Sequence, residues 1–203
     1  MDQKVKPAPR IAPLSPDLHP ELEESFEATK KRMGFLPNSM LIMQRRPKIV
    51  KAFVEFGAAI RSSDCEIEPG LMALISHVCS RAAGCQYCMA HTAHGAAHRV
   101  EEAKLAAVWE YHSNPLFSEK ERVTLDFALA AGSVPNDVTD EMMAEMKKHW
   151  SENQIVDIVA LISMFGFLNR WNDTMATPLE EGPIEVGNKF LAPHGWSVGK
   201  HGA

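Results

Sequence analysis

Apolar residues recur at three- and four-residue spacings along most of the chain, whereas the two-residue alternation typical of strands is absent. The clearest case lies between Glu68 and Arg81, where Leu71, Leu74, Ile75 and Val78 form one apolar stripe along a helix. Glycine and proline residues separate this stretch from similar ones before and after it. The pattern predicts an all-α fold of about eight helices.

The 203 residues predict one helical domain with extended ends. Residues 1–19 are rich in proline and are expected to form an extended N-terminal arm, residues 20–175 the helical domain, and residues 176–203 a C-terminal tail or arm. An unsupported tail would expose Leu191 and Trp196 to water. We therefore expect the arms to pack on a neighbouring subunit, which predicts a homo-oligomer.

Charge and hydropathy exclude several classes of protein. The formal net charge is −5, so the basic footprint of a nucleic-acid-binding protein is missing. The N-terminus has no apolar segment of the kind found in secretory signals, and no apolar run reaches the ~18 residues of a membrane span. We expect a cytoplasmic protein with no nucleic-acid or membrane partner. In a reducing compartment, a C-x-x-C pair indicates redox chemistry or metal binding and not a structural disulfide.

The segment GCQYCMAHTAH contains such a pair, Cys85 and Cys88. The break at Gly84 predicts that a helix begins at Cys85, where unpaired N–H groups and the helix dipole stabilise a thiolate. This geometry makes Cys85 the more exposed thiol and the natural nucleophile, with Cys88 closing the disulfide, although the reverse order is equally consistent with the spacing. His91 follows Cys88 by three residues, on the same helix face, and is a candidate base.

Other roles for these residues compete with redox chemistry. A zinc site made by Cys85, Cys88, His91 and His94 is disfavoured, because nine residues of continuous helix place the first and last of them on opposite faces. The alternative without any chemistry is that both cysteines are buried core residues. Four other residues are expected to have no chemistry: Cys79 lies on the apolar stripe, Cys65 lies in a loop, and His94 and His98 are helix-face histidines.

The segment SRAAGCQYCMAHTAHGA resembles the redox motif of the AhpD-like alkylhydroperoxidase and carboxymuconolactone decarboxylase superfamily. GFLPNSMLIMQRRPKIVKAFVEF upstream and WSENQIVDIVALISMFGFLNRWNDTM downstream resemble other parts of that family's pattern, so that the resemblance covers about residues 20–175. It fits best with the peroxidase-related branch, and it implies an all-α, homo-oligomeric enzyme.

The resemblance implies roles for particular residues. Cys88 becomes the thiol that attacks peroxide and Cys85 the one that resolves the intermediate. The family's histidine would fall on Thr92, and His91 is expected to substitute for it. The family's relay glutamate would fall on Ala73, so that acid is missing from its usual place. His77, one turn further along the same small polar stripe, is a candidate for part of the relay.

The resulting prediction is a thiol-dependent, peroxidase-like oxidoreductase that reduces hydroperoxides. The cysteine pair itself would be the redox cofactor, with no metal, and an external dithiol would regenerate it. One alternative is a carboxymuconolactone-decarboxylase-like enzyme acting on a small lactone or carboxylic acid. It is disfavoured because the sequence shows no arginine-rich motif that would hold a carboxylate. The other alternative is a non-catalytic helical oligomer that binds a small ligand or a metal.

Overall fold

Helices joined by short connections make up the computed structural model, which describes residues 8–202. No strand occurs in this range, so the all-α prediction is confirmed. Three 3₁₀ turns, Pro16–Leu18, Pro20–Leu22 and Val108–Glu110, connect or extend the helices. The α-helices are α1 Glu23–Met33, α2 Asn38–Met43, α3 Pro47–Ala59, α4 Pro69–Ala82, α5 Gln86–Ala97, α6 Glu102–Ala106, α7 Glu119–Gly132, α8 Asp140–His149, α9 Glu152–Met175 and α10 Glu181–Val186.

Local sequence signals explain where several helices begin. The Ser118 hydroxyl accepts a hydrogen bond from the Glu121 N–H, and the Glu121 carboxylate accepts one from the Ser118 N–H, which forms a capping box at the start of α7. Ser151 and Gln154 form the same arrangement at the start of α9. Between α4 and α5 the chain passes through Gly84 at φ +69°, a left-handed conformation that favours glycine.

Helix α4 lies at the centre of the fold and packs against α5, α7 and α9. Its predicted apolar stripe is buried, and Leu74 and Ile75 have no exposed surface. Gly132 at the end of α7 lets the two backbones meet, because a Cβ atom there would lie 2.8 Å from the Cα atom of Cys79. Cys79 belongs to this core, and burial raises the pKa of its thiol to about 12, which leaves it unreactive.

The described part of the N-terminal arm lies along its own chain. The Arg10 N–H donates to the Met175 carbonyl at 3.0 Å, and the Leu14 N–H donates to the Leu41 carbonyl at 3.1 Å. The first seven residues of the predicted arm lie outside the described residues.

The C-terminal segment differs from the expectation that it packs on a neighbouring subunit. Residues 176–202 fold back on their own chain as α10, a π turn at Gly187–Leu191 and further 3₁₀ turns. Leu191 and Trp196 are 1% and 5% exposed, and they pack on α5 around the cysteine pair. The apolar surface that suggested an intersubunit contact is therefore already covered within the chain.

Helix α9 is the one helix of the described range long and apolar enough to cross a membrane by length and composition. Its residues Ile155, Ile158 and Leu161 are buried in the main core against α4 and α7. Other apolar side chains of α9 are exposed, among them Val156, Val159 and Phe167, so burial in the core accounts for only part of its apolar character.

Candidate active site

The cysteine pair lies where α4 ends and α5 begins. Cys85 is the N-cap of α5, and its sulfur accepts a hydrogen bond from the Cys88 N–H at 3.3 Å. The cysteines are 0% and 2% exposed, so the expectation that Cys85 is the more accessible thiol is wrong. The C-terminal segment covers it, through Leu191 and Trp196. Sequence reasoning missed this because that segment has no periodic signal.

The two thiols differ in acidity because one donates to the other. The Cys88 thiol and the Cys88 N–H both donate hydrogen bonds to the Cys85 sulfur. Together they hold the pKa of Cys85 below its ordinary value, although burial alone would raise it. Burial, together with that same hydrogen bond, raises the pKa of Cys88 well above its ordinary value. The first proton therefore leaves Cys85, and the resulting thiolate is held at the N-terminus of α5.

A cavity of about 1040 Å³ opens beside the pair, and Cys88 lines it whereas Cys85 does not. The side-chain amide of Asn172 on α9 donates to the Cys88 sulfur at 3.5 Å. This volume lies at the upper end of the range for sites that hold a whole small organic molecule. Much of the wall is apolar, and its members include Phe53, Met72, Leu161, Met164, Phe165 and Leu168.

His91 also lines the cavity, and Glu180 holds its ring in place. The Nε2 atom of His91 lies 2.5 Å from Oε2 of Glu180, and the side chains are only 9% and 16% exposed. The other carboxylate oxygen, Oε1, accepts hydrogen bonds from the Tyr87 hydroxyl at 3.1 Å and from the Asn38 N–H at 2.5 Å. The Tyr87 ring stacks on His91 with centroids 4.2 Å apart.

Glu180 is ionised in this setting. Burial alone would raise its pKa, but the attraction and hydrogen bond of His91 and the Asn38 N–H outweigh that effect, so the pKa lies below its ordinary value. Ala73, where the family's acid was expected, lines the same cavity without a carboxylate. A carboxylate therefore reaches the site from the C-terminal segment, which no motif in the sequence indicated.

His77 is fully buried behind the cavity wall. Its Nδ1 atom lies 2.9 Å from Oγ1 of Thr92, and the Thr92 hydroxyl donates to the Cys88 carbonyl at 2.7 Å. A hydroxyl has one proton, so Nδ1 of His77 is the donor to Thr92 and Nε2 carries the lone pair. Within residues 8–202 that Nε2 atom has no partner. Burial lowers the pKa of His77 to about 4, and its role in the relay stays a prediction.

Two further histidines line the cavity, although sequence reasoning gave them no role. Phe35 contacts the rings of both His91 and His94 edge-on, with centroids 5.4 and 5.5 Å apart. His98 follows at 5.0 Å from His94, toward solvent. In the described part of the chain, the four residues weighed as a zinc site do not bring their ligand atoms within 4.8 Å of one another.

Three arginines line the cavity as well, which corrects the expectation that an arginine-rich pocket is missing. They are Arg32, Arg61 and Arg99, which lie 29 and 38 residues apart in sequence, so that no local motif signals them. The position of Asn172, by contrast, could be predicted from the sequence, because this polar residue falls on the apolar side of α9, where it is buried. Cys65 lines the cavity too and is half-buried.

Comparison with known proteins extends these observations. No protein-family model matches the chain. A curated relative, the uncharacterized protein YnjA of Escherichia coli strain K12, is 29% identical over 115 residues, and the match covers 56% of this chain and 63% of YnjA.

Solved structures give fuller matches. The debrominase Bmp8 superposes with a TM-score of 0.84 at 32% identity, over 89% of this chain and 97% of Bmp8. A cysteine-to-alanine variant of Bmp8 in complex with 2,3,4-tribromopyrrole matches equally well. A peroxidase-related protein from Ralstonia eutropha JMP134, described as an alkylhydroperoxidase AhpD core, matches with a TM-score of 0.69 at 20% identity, over 80% of this chain and 87% of its own, and shares the fold. At 32% identity over nearly the whole of Bmp8, the chain belongs to the same family as that debrominase, within the AhpD-like fold that the peroxidase-related proteins share.

Proposed function

We propose that this protein is a thiol-dependent oxidoreductase that reduces a hydroperoxide bound in the cavity. The proposal depends on the different positions of the two cysteines. Cys88 lines the cavity, and Cys85 lies behind it within hydrogen-bonding distance. Such an arrangement lets one sulfur meet the substrate and the other close a disulfide. Membership of a superfamily whose solved neighbours include enzymes supports an enzymatic role.

In the first step, the Cys88 sulfur attacks the distal oxygen of the hydroperoxide. An S–O bond forms, the O–O bond breaks, and the Cys88 proton passes to the Cys85 thiolate. The departing alkoxide takes a proton from the His91–Glu180 pair and leaves as an alcohol. Cys88 is then a sulfenic acid and Cys85 a thiol.

In the second step, Cys85 returns its proton to the His91–Glu180 pair and attacks the Cys88 sulfur. The S–S bond forms, the S–O bond breaks, and the hydroxide is protonated to water. Two electrons have moved from the two sulfurs to the substrate, and one proton has been taken from solution because the pair began as a monoanion. An external dithiol, oxidised to its own disulfide, would restore the pair in a reducing compartment such as the cytoplasm.

A second candidate is reductive removal of halogen from a small aromatic ring. It is favoured by the 32% identity to a debrominase and by a cavity far larger than a small alkyl hydroperoxide needs. The electron balance is the same: the halogenated ring and two thiols give the ring with hydrogen in place of halogen, a hydrogen halide and one disulfide.

A thiol count separates these candidates. The reduced protein is mixed with one equivalent of cumene hydroperoxide or of tribromopyrrole, and free thiols are counted in denaturant. We expect wild type to lose two thiols with the true substrate and Cys88→Ser to lose none. With cumene hydroperoxide, Cys85→Ser should stop at a Cys88 sulfenic acid that dimedone traps. Cys65→Ser, which removes another cavity thiol, is the matched control and should behave as wild type. If neither compound consumes thiols in wild type, the proposed function is wrong.

A further inference from the structure

The exposed side of the cavity carries three arginines from three separate elements. Arg32 belongs to the last turn of α1, Arg61 follows α3, and Arg99 follows α5. Arg61 and Arg99 each donate one guanidinium N–H to the carbonyl four residues earlier, of Gly57 at 2.8 Å and of Gly95 at 2.5 Å. A guanidinium has five N–H groups, so most of the donors at this site remain available to a ligand.

No carboxylate neutralises these arginines within residues 8–202, because every ion pair found there involves other residues. Glu66 and Glu68 also line the cavity, but neither forms an ion pair with the arginines. Partial desolvation at the cavity mouth and then repulsion by Arg32 and Arg99 lower the pKa of Arg61 to about 10. Repulsion among like charges that line one cavity raises the free energy of the unliganded site, and an anion bound among them would relieve it.

The remaining cavity wall suits the rest of an organic molecule. It is built largely from the apolar side chains of α3, α4 and α9 named above, and it leads from the arginines to Cys88. We propose that the cavity binds a small organic acid, with its carboxylate held by Arg32, Arg61 and Arg99 and its apolar body directed toward Cys88. Guanidinium groups bind carboxylates through paired, charge-assisted hydrogen bonds, which gives the site both affinity and orientation.

The proposal names the substrate class of the proposed oxidoreductase and depends on that function only for the reaction at Cys88. Binding can therefore be tested without chemistry. The probes are 4-bromobenzoate and its neutral counterpart 4-bromobenzamide, and their affinities are measured by calorimetry with Cys88→Ser, which cannot react. We expect the acid to bind at least about tenfold more tightly than the amide, as for hydrogen bonds to charged groups. Added salt should reduce this preference.

Arginine variants in the same Cys88→Ser background locate the site. Arg61→Gln with Arg99→Gln should abolish the preference for the acid and leave amide binding nearly unchanged. Arg170→Gln is the matched control, because Arg170 also donates to the carbonyl four residues earlier but does not line the cavity. It should keep the full preference.

Three results would overturn the proposal: equal affinity for acid and amide, a preference that survives the double variant, or inorganic phosphate that binds as tightly as the organic acid. Native mass spectrometry of each variant tests whether the arginines form a subunit contact instead. If the arginine variants change the oligomeric mass but not the preference, the cluster is a subunit contact and not a ligand site. Loss of the peroxide reaction alone, with the acid preference intact, would refute the proposed function and leave this inference standing.

Discussion

Glu180 brings a carboxylate to His91 from a part of the chain that lies 89 residues further on. Its two oxygens are fully used, one by His91 and the other by Tyr87 and the Asn38 N–H. Such a carboxylate fixes the orientation of the imidazole and can exchange a proton with it. His91, which lines the cavity, thus has an acid partner, although Ala73 stands where the family pattern expects the acid.

Replacing this acid by its neutral counterpart tests its part in proton transfer. Glu180→Gln retains a carbonyl oxygen for Tyr87 and Asn38 but can neither hold a charge nor take a proton. We expect turnover of cumene hydroperoxide with excess dithiothreitol to fall about 10²-fold, the lower range for loss of acid–base catalysis. Glu181→Gln, one residue further on and exposed, is the control and should match wild type. Unchanged turnover in a folded Glu180→Gln protein would contradict the relay.

His77 makes the free energy of unfolding decrease at acidic pH, because burial lowers the pKa of its side chain. Its pKa is about 4 in the folded protein and 6.5 in an unfolded chain, so between these values the unfolded state binds the extra proton. The free energy of unfolding therefore falls as pH decreases from 6.5 to 4, by up to about 3 kcal/mol from this residue. Above pH 6.5 the contribution is constant.

The His77 effect is measured by urea unfolding between pH 4 and 7. We expect His77→Gln, which has no titrating group, to show a shallower decline over this range than wild type. The control is His194→Gln, because His194 is exposed and its replacement should leave the decline intact. A His77→Gln protein with the wild-type decline would show that other groups, such as His201, dominate.

At the element scale, periodicity and caps predict the helical domain well. The capping box at Ser118 marks the start of α7, and the glycine break at Gly84 predicts the start of α5 to within one residue of its observed position. Both signals are local, since each joins residues only a few positions apart. The stripe that predicted α4 as a core helix is buried, and so are the polar residues Ser76, His77 and Ser80 beside it.

Long-range contacts explain what the sequence did not reveal. The carboxylate of Glu180, the amide of Asn172 and the three cavity arginines reach the site from elements far apart in sequence, so no spacing rule connects them. The exposure of Cys85 was predicted incorrectly for the same reason, because its cover comes from Leu191 and Trp196, more than 100 residues away. Local pattern identified the cysteine pair and His91, whereas tertiary packing determined which sulfur meets the cavity.

At the scale of the whole molecule, the C-terminal segment closes one side of the candidate active site. The Trp196 ring packs against Gly187, where a Cβ atom would come within 2.7 Å of it, and its Nε1 atom donates to the Gln86 carbonyl at 3.0 Å. Gln86 follows Cys85 directly, so this contact holds the segment over the buried thiol. The same segment supplies Glu180. One segment of the chain therefore both covers Cys85 and positions Glu180 beside His91.

Loosening this contact should expose Cys85 without unfolding the domain. We expect Trp196→Ala to speed alkylation of Cys85 by iodoacetamide, measured peptide by peptide by mass spectrometry, while Cys79 in the main core stays protected. Trp150→Ala is the matched control: Trp150 is 6% exposed, and its Nε1 atom also donates a hydrogen bond, to Thr124 in the main core. Removing a buried tryptophan costs about 3–5 kcal/mol, so this control should lower global stability and expose both cysteines together. If Cys85 and Cys79 become reactive in parallel in Trp196→Ala as well, the C-terminal segment is an integral part of the core and not a separable cover, because local opening would then require global unfolding.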